Sequence, residues 1–358
     1  MRDFKKEFPV LSQYTYLNTA YAGLMYESLM EWRQEQDFDY LIKGSLYRDQ
    51  HHLFEDTVRK EVGEFFNCSH ERVALAPNFS YAFNTIVNGL QHKKKVLLLQ
   101  NDYPSVNNPF ERGNFEIVYV EIGADMEEHI AEVVEKEKPD ILALSIVQYI
   151  NGIKIDLSFL KTLKKDFPSL LIIADGTQFC GTEEFDFDNS GVDILGASGY
   201  KWMLSGYGNA FMLFKQHAIE TLYPTNFEHV HPSEKYSVYQ THLMNHLEPG
   251  HLDTLSFGSL LFSLRFLKSI GMESIALHHK TLGAQVRERL GEAGLLEDAV
   301  MKRKEHSTIY NIKGDDKLFS KLRSNYILCA RRGDGIRVSF HLYNTEKDLN
   351  TLLLHLRK

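Results

Sequence analysis

The sequence predicts an α/β protein, with a large domain built on a mostly parallel sheet covered by helices on both faces, and a small α+β domain after it. Three observations carry this. Short apolar runs of strand length alternate with amphipathic helical stretches from Glu55 to Phe214. Leu170–Ala174 is wholly apolar and Asp193–Ala197 nearly so, as expected of strands buried on both faces. After about residue 250 the texture changes to two long helices followed by shorter strands. Alternating β and α units build parallel sheets clothed on both sides.

The elements follow in order. An amphipathic stretch from Phe54 to Phe66 precedes a short strand at Arg72–Leu75. A helix over Tyr81–Leu90 leads to a strand at Lys95–Leu99, and Phe115–Ile122 alternates as a strand does. Asp125–Lys136 reads as a helix with acids in its first turn, the favourable end of the dipole. Ile141–Ile146 is a buried strand, Leu157–Lys165 a helix, and Asn209–Phe214 a further strand. Gly258–Ile270 reads as a helix stopped by Gly271, and Glu273–Leu290 as a longer one. Strands are expected at Thr308–Ile312, Tyr326–Cys329 and Ile336–Phe340. Thr345-Glu346-Lys347-Asp348 opens a last helix with a capping-box pattern. The expected division is a large domain over 15–245 and a small one over 1–14 and 246–358.

Composition narrows the function. The chain's 358 residues suffice for two domains, and 43% hydrophobic with 25% charged residues is ordinary globular usage. A net charge of −8 argues against nucleic-acid binding, which rests on basic patches. No run of about 18 apolar residues is present, so no membrane span is expected. Met1–Glu7 lacks an apolar signal core, and Cys68, Cys180 and Cys329 are odd in number and widely spaced. Free thiols in a reducing cytoplasm are the expectation, without zinc. The 16 histidines scatter. The adjacent pairs His51-His52 and His278-His279 and the near pair His229 and His231 read as structural or surface residues.

Chemistry concentrates at two strand ends. Asp175 closes one apolar run, in Ala174-Asp175-Gly176-Thr177-Gln178, and Lys201 follows the next, in Ser198-Gly199-Tyr200-Lys201. Ligands of open α/β sheets bind beyond the carboxyl ends of the strands. An acid and a lysine converging there suit pyridoxal phosphate, whose ring nitrogen wants a carboxylate and whose aldehyde wants an amine. Asn78-Phe79-Ser80-Tyr81 lies between a strand and a helix, where free N–H groups suit a phosphate. Ser80 either adds a hydroxyl there or caps the helix. Tyr103, in Asn101-Asp102-Tyr103-Pro104-Ser105, offers a flat face for a ring or belongs to the core. Arg337 alternates with apolar neighbours on a strand. Its pattern alone favours solvent, although a planar guanidinium also suits a substrate carboxylate. No Gly-x-Gly-x-x-Gly follows the early strands, which disfavours a nicotinamide dehydrogenase.

These motifs together resemble the class V aminotransferase family of fold-type I pyridoxal phosphate enzymes, the branch of cysteine desulfurases, selenocysteine lyases and isopenicillin N epimerase-like proteins. The resemblance runs in order through Tyr16–Ala20, Asn78–Ala82, Asp102–Phe110, Asp175–Gln178, Ser198–Trp202 and Gly335–Thr345. It implies a seven-stranded type of sheet and a homodimer with sites at the subunit interface. It assigns Lys201 and Asp175 to catalysis. Gln178, Tyr103, Phe79, Ser80, Tyr81, Ser198 and Tyr200 would hold the cofactor, and Arg337 and Asn18 an amino-acid substrate.

Departures qualify what is implied. Tyr200 stands where the family has histidine before its lysine, and Tyr103 where it has a stacking histidine. A Gly-Thr pair that reaches the neighbouring subunit's phosphate is matched here by Glu248-Pro249-Gly250-His251, so either His251 or Thr254 serves. The desulfurase loop cysteine has no place, because Arg331-Arg332-Gly333-Asp334-Gly335 leaves no room for that loop. A transaminase-like enzyme is therefore the leading expectation. A lyase or epimerase of the same family, or a cofactor-binding protein without turnover, are the alternatives.

Overall fold

The computed structural model describes residues 4, 6–49, 51–91, 93–223 and 246–356, with the side chains of His51 and His52 outside that set. His229 and His231 lie outside the described residues. β1 (Thr15–Tyr16) stands apart from the main sheet. That sheet comprises β2 (Val73–Ala76), β3 (Lys95–Leu99), β4 (Glu116–Val120), β5 (Ile141–Ser145), β6 (Leu171–Asp175), β7 (Ile194–Ser198) and β8 (Ala210–Phe214). Its order is β2-β8-β7-β6-β5-β3-β4. Pairing is parallel from β4 through β3, β5 and β6 to β7, and β8 runs antiparallel to both its neighbours.

The apolar runs are continuous because both faces are buried. Leu97 and Leu99 of β3 join one hydrophobic cluster, and Val96 and Leu98 join the other. β5 and β6 divide in the same way, Leu142, Leu144, Ile172 and Ala174 against Ile141, Ala143, Leu171 and Ile173. The Phe79–Gly89 and Pro104–Glu111 helices cover one face, where Phe83 meets Phe110 edge-on. The Met126–Glu137 and Leu157–Asp166 helices contribute Ile130, Val134, Leu160 and Leu163 to the other.

Beyond the sheet, the Thr254–Ile270 and Met272–Glu292 helices lead to β9 (Ile309–Ile312), β10 (Ile327–Leu328), β11 (Ala330–Arg332) and β12 (Gly335–Ser339). β11, β12 and β9 form an antiparallel sheet in that order. The strand expected over Tyr326–Cys329 is split. β10 pairs in parallel with β1, so Ile327 and Leu328 leave the three-stranded sheet and Cys329 falls between. The first helix after residue 250 begins at Thr254, not Gly258, because the Asp253 carboxylate accepts from Leu255 and Ser256 N–H at 3.1 Å each. Gly258 is a packing residue within it: a Cβ there would come within 2.2 Å of the Trp32 ring.

Helices at Glu27–Lys43, Pro104–Glu111 and Asp316–Ser324 go beyond those expected from the sequence. The first fully buries only Leu29 and half-buries Trp32 against Phe262, so its apolar stripe toward the core is thin. The second contains Pro109, normally a reason to reject a helix.

A buried ion pair ties three segments together. The Arg59 guanidinium holds Glu248, whose Oε1 also accepts from Leu75 N–H at 2.8 Å. Both side chains are buried, so neither charge has water as an alternative partner. Glu248→Gln leaves the Arg59 charge to Glu55, 3.9 Å away, and is expected to destabilise the fold by about 3 kcal/mol, read as a lower urea midpoint.

Candidate active site

The parallel pairing of β6 with β7 sets Asp175 opposite Gly196, and the chain leaving β7 turns so that Lys201 comes back over the same strand ends. Asp175 and Lys201 line one cavity of about 110 Å³, together with Asn78, Phe79, Ser80, Tyr103, Thr177, Gln178, Ser198 and Tyr200. Both charged groups are buried. Desolvation pushes the Lys201 ammonium well below the ordinary lysine range; Asp175 opposes this shift, while Arg337 and Arg332 add to it. Desolvation raises the Asp175 carboxyl, against the bonds from Thr177 and the charge of Lys201. Its Oδ1 accepts from Thr177 N–H at 2.8 Å.

Neighbouring strand ends fix the walls. Asp102 accepts from Ser145 N–H at 2.7 Å and from Tyr103 N–H at 2.6 Å, which ties the end of β3 to the end of β5. Tyr103 is thereby held edge-on to Tyr149, their centroids 5.2 Å apart. The Lys201 ammonium lies 5.6 Å from the centroid of Tyr103 and 5.5 Å from that of Tyr200. Tyr200 in turn stacks on Tyr207 at 4.9 Å.

The orientation of Gln178 is set by a donor that cannot accept. Trp202 Nε1–H donates to Gln178 Oε1 at 2.7 Å, so the amide nitrogen faces the other way and donates to Ala20 O at 2.9 Å. One amide hydrogen is left for the cavity. Trp202 O accepts from His341 Nε2 at 3.0 Å, and His341 Nδ1 lies 3.1 Å from His279 Nε2. Burial pushes both imidazoles below the ordinary histidine range. Sequence reasoning missed Asp102, Trp202 and His341 in these roles. The only signal was their place inside the motifs.

The start of the Phe79–Gly89 helix is capped by Asn78, not Ser80: Asn78 Oδ1 accepts from Tyr81 N–H at 2.9 Å. Ser198 Oγ accepts from Phe79 N–H at 2.9 Å, which leaves its own hydrogen free to donate. Ser80 Oγ pairs with Ser105 Oγ at 2.7 Å. Tyr81 is 42% exposed and outside the cavity lining, with its N–H already taken, so the geometry does not bring it to the others.

Arg337 departs from its strand pattern. It is 2% exposed, because the Val147–Lys154 turn closes over the face of β12 that carries it. One of its terminal N–H groups donates to Tyr149 O at 2.6 Å, while its buried Nε has no acceptor. Asn18 bridges to Ser339 on the same strand, and its buried Oδ1 has no donor. His251 is exposed and outside the lining, its Nε2 2.6 Å from an Arg48 terminal nitrogen. Thr254 Oγ1 accepts from Tyr47 O–H at 3.2 Å. All three cysteines are buried; burial raises Cys68 and Cys329 to about 11 and Cys180 well above its ordinary value. No metal-holding group of side chains occurs among the described residues.

Gly23 sets the approach to Lys201. Its N–H donates to Tyr200 O at 2.8 Å, and a Cβ would lie 2.1 Å from Lys201 O. Gly23→Ala must displace the lysine segment and is expected to cost about 1–3 kcal/mol in urea unfolding. Gly123→Ala, where a Cβ meets nothing within 4 Å, is the control, expected to stay within about 0.5 kcal/mol.

The model of the family described as "Aminotransferase class-V" matches residues 33–352. An uncharacterized aminotransferase, YcbU of Bacillus subtilis strain 168, is 22% identical, covering 97% of this chain and 94% of its own. An apo cysteine desulfurase structure from Thermococcus onnurineus NA1 superposes with a TM-score of 0.84 at 17% identity, covering 99% and 98% of the two chains. The complex of the cystine C-S lyase C-DES with cysteine persulfide superposes at 0.81 and 18% identity, covering 98% of each. The fold is that of the fold-type I enzymes, and with the match running through β2–β12 the chain belongs to the class V aminotransferases, a pyridoxal phosphate-dependent enzyme family acting on amino acids.

Proposed function

We propose that this chain transaminates an amino acid, using Lys201 as the covalent anchor and proton carrier and Asp175 as the partner of the cofactor ring nitrogen. The observation that carries the reading is the shared cavity: a buried amine and a buried carboxylate at the ends of adjacent strands, both biased toward their neutral forms. Pyridoxal phosphate, when bound, supplies an aldehyde for amines and a ring that takes up the electrons released at the substrate α-carbon.

The residues present fit that group. An amine held low enough to be uncharged near neutrality is ready as nucleophile and, later, as base at Nζ. Asp175, costly to ionise when buried alone, gains a counter-charge from a protonated ring nitrogen. The free Gln178 N–H suits a ring oxygen, and the Tyr103 face a ring. Asn78, Ser80 and Ser198 supply neutral donors for the phosphate. The unpaired Nε of Arg337 and Oδ1 of Asn18 suit the carboxylate and ammonium of an amino acid. With every cysteine buried, no thiol is presented to take sulfur from a substrate, which favours transamination over a desulfurase relay.

A homodimer is part of the reading. Phe38, Leu41 and Ile42 follow one another at helical spacing on the Glu27–Lys43 helix and Leu46 lies on the next helix past Gly44, with Leu41 78% and Leu46 69% exposed. His251 Nε2 lies 2.6 Å from Arg48, on the same short helix as Leu46, which fits a role toward a neighbouring subunit's phosphate. No helix among the described residues is long and apolar enough to cross a membrane, and a cytoplasmic location fits the buried free thiols.

Lys201→Ala is expected to lose the borohydride-reducible link to added pyridoxal phosphate and to lower turnover roughly 100- to 10,000-fold. In the wild type, loading of the cofactor-free protein should speed up as pH rises and level off at a midpoint well below the ordinary lysine value of about 10.4, because only the uncharged amine reacts. A midpoint near the ordinary value contradicts the reading. A Leu41→Glu, Leu46→Glu double variant is expected to shift light scattering toward monomer and to release cofactor faster.

A further inference from the structure

The β11–β12 hairpin turns through Gly333 and Asp334, with Arg332 opposite Gly335 and Ala330 opposite Arg337. Opposed residues share a face of a sheet, as do residues two apart on one strand. Arg332, Gly335 and Arg337 therefore project from one face, which β9 extends with Asn311 opposite Arg337. This face meets the strand ends of the site. Arg337 donates to Tyr149 O, and the Arg332 guanidinium lies 5.5 Å over the Tyr21 ring, one residue from the carbonyl that accepts from Gln178.

The two guanidiniums lack counter-ions. Among the described residues neither forms an ion pair, and Arg332 has one side-chain hydrogen bond, to Arg331 O at 3.2 Å. Arg331, on the opposite face, shows the contrast: its Nε lies 3.1 Å from Asp316, and its terminal nitrogen donates to Gly314 O and Gly335 O. Asp175 is the one carboxylate among the described residues lining the 110 Å³ cavity, against Lys201 within it. Burial and the Arg332 charge together push Arg337 down to about 10. Arg337, buried with an unpaired Nε, and Arg332, exposed on the same face, are placed to hold an anion with two separated charges.

We propose that the substrate is a dicarboxylic amino acid of the aspartate–glutamate type, or its 2-oxo diacid, with the α-carboxylate on Arg337 and the distal carboxylate on Arg332. The assignment of the α-carboxylate rests on the proposed function; the diacid site itself rests on the hairpin geometry.

Two experiments on the full chain test it. Calorimetry without cofactor compares glutarate with butyrate, and glutarate is expected to bind at least tenfold more tightly. With pyridoxal phosphate added, cofactor absorbance is titrated with glutamate, aspartate, alanine and serine. The diacids should half-saturate at concentrations at least tenfold lower, and Arg332→Gln should remove most of that advantage while Arg332→Lys keeps part of it. Arg332 is exposed, so a thermal melt confirms that its variants are folded. Equal binding of glutarate and butyrate, or an Arg332→Gln change that weakens diacids and monoacids by one common factor, overturns the diacid site. Tight glutarate binding without cofactor uptake keeps the diacid site and removes the cofactor reading. Cofactor uptake without any preference for diacids does the reverse.

Discussion

A lysine amine and an aspartate carboxyl share one buried cavity at the ends of β6 and β7, and the rest of the site is arranged around that meeting. Parallel pairing sends both strand ends to the same edge of the sheet. Antiparallel pairing would send them to opposite edges. Desolvation then works on both groups in the same sense, favouring the uncharged amine and the uncharged acid. Such a pair is a poor structural salt bridge, and the proposed aldehyde and ring nitrogen would supply the missing partners.

A layer of buried polar residues holds this pair in place. Asp102 joins β3 to β5 through two backbone N–H groups and so aims Tyr103. Trp202 decides which end of the Gln178 amide faces the cavity, and His341 holds the Trp202 carbonyl. Each is a directional bond with little freedom to rearrange. Gly23 packs against the Lys201 carbonyl from the other side.

The three-stranded sheet has a different task. It presents Arg337 from a strand whose two faces are both covered, so the guanidinium is desolvated and keeps one unpaired nitrogen. A buried cation without a counter-ion is costly in the free protein, and the proposed substrate anion would relieve that cost. The short hairpin that leaves no space for a sulfur-carrying loop also brings Arg332 to the same face.

Much of the fold was legible in the sequence, because it is written in local pattern. The runs Leu170–Ala174 and Asp193–Ala197 are apolar for the simple reason that both faces are covered, and Asp175 and Lys201 mark where they end. The chain's membership of its family followed from motifs in order. What no window of sequence reveals depends on distant pairings. Arg337 reads as a solvent-facing strand residue until the Val147–Lys154 turn is folded over it. Tyr326–Cys329 reads as one strand until β1, more than 300 residues away, takes Ile327 and Leu328. The Glu27–Lys43 helix shows only a thin stripe toward the core, Leu29 and Trp32, because Phe38, Leu41 and Ile42 point outward. Trp202 and His341 become positioning residues only through bonds spanning 24 and 139 positions. Sequence determined which strands form and which chemistry ends them. Tertiary structure alone decided which charges lose their water, since burial is a property of what folds over a residue and not of its neighbours in the chain.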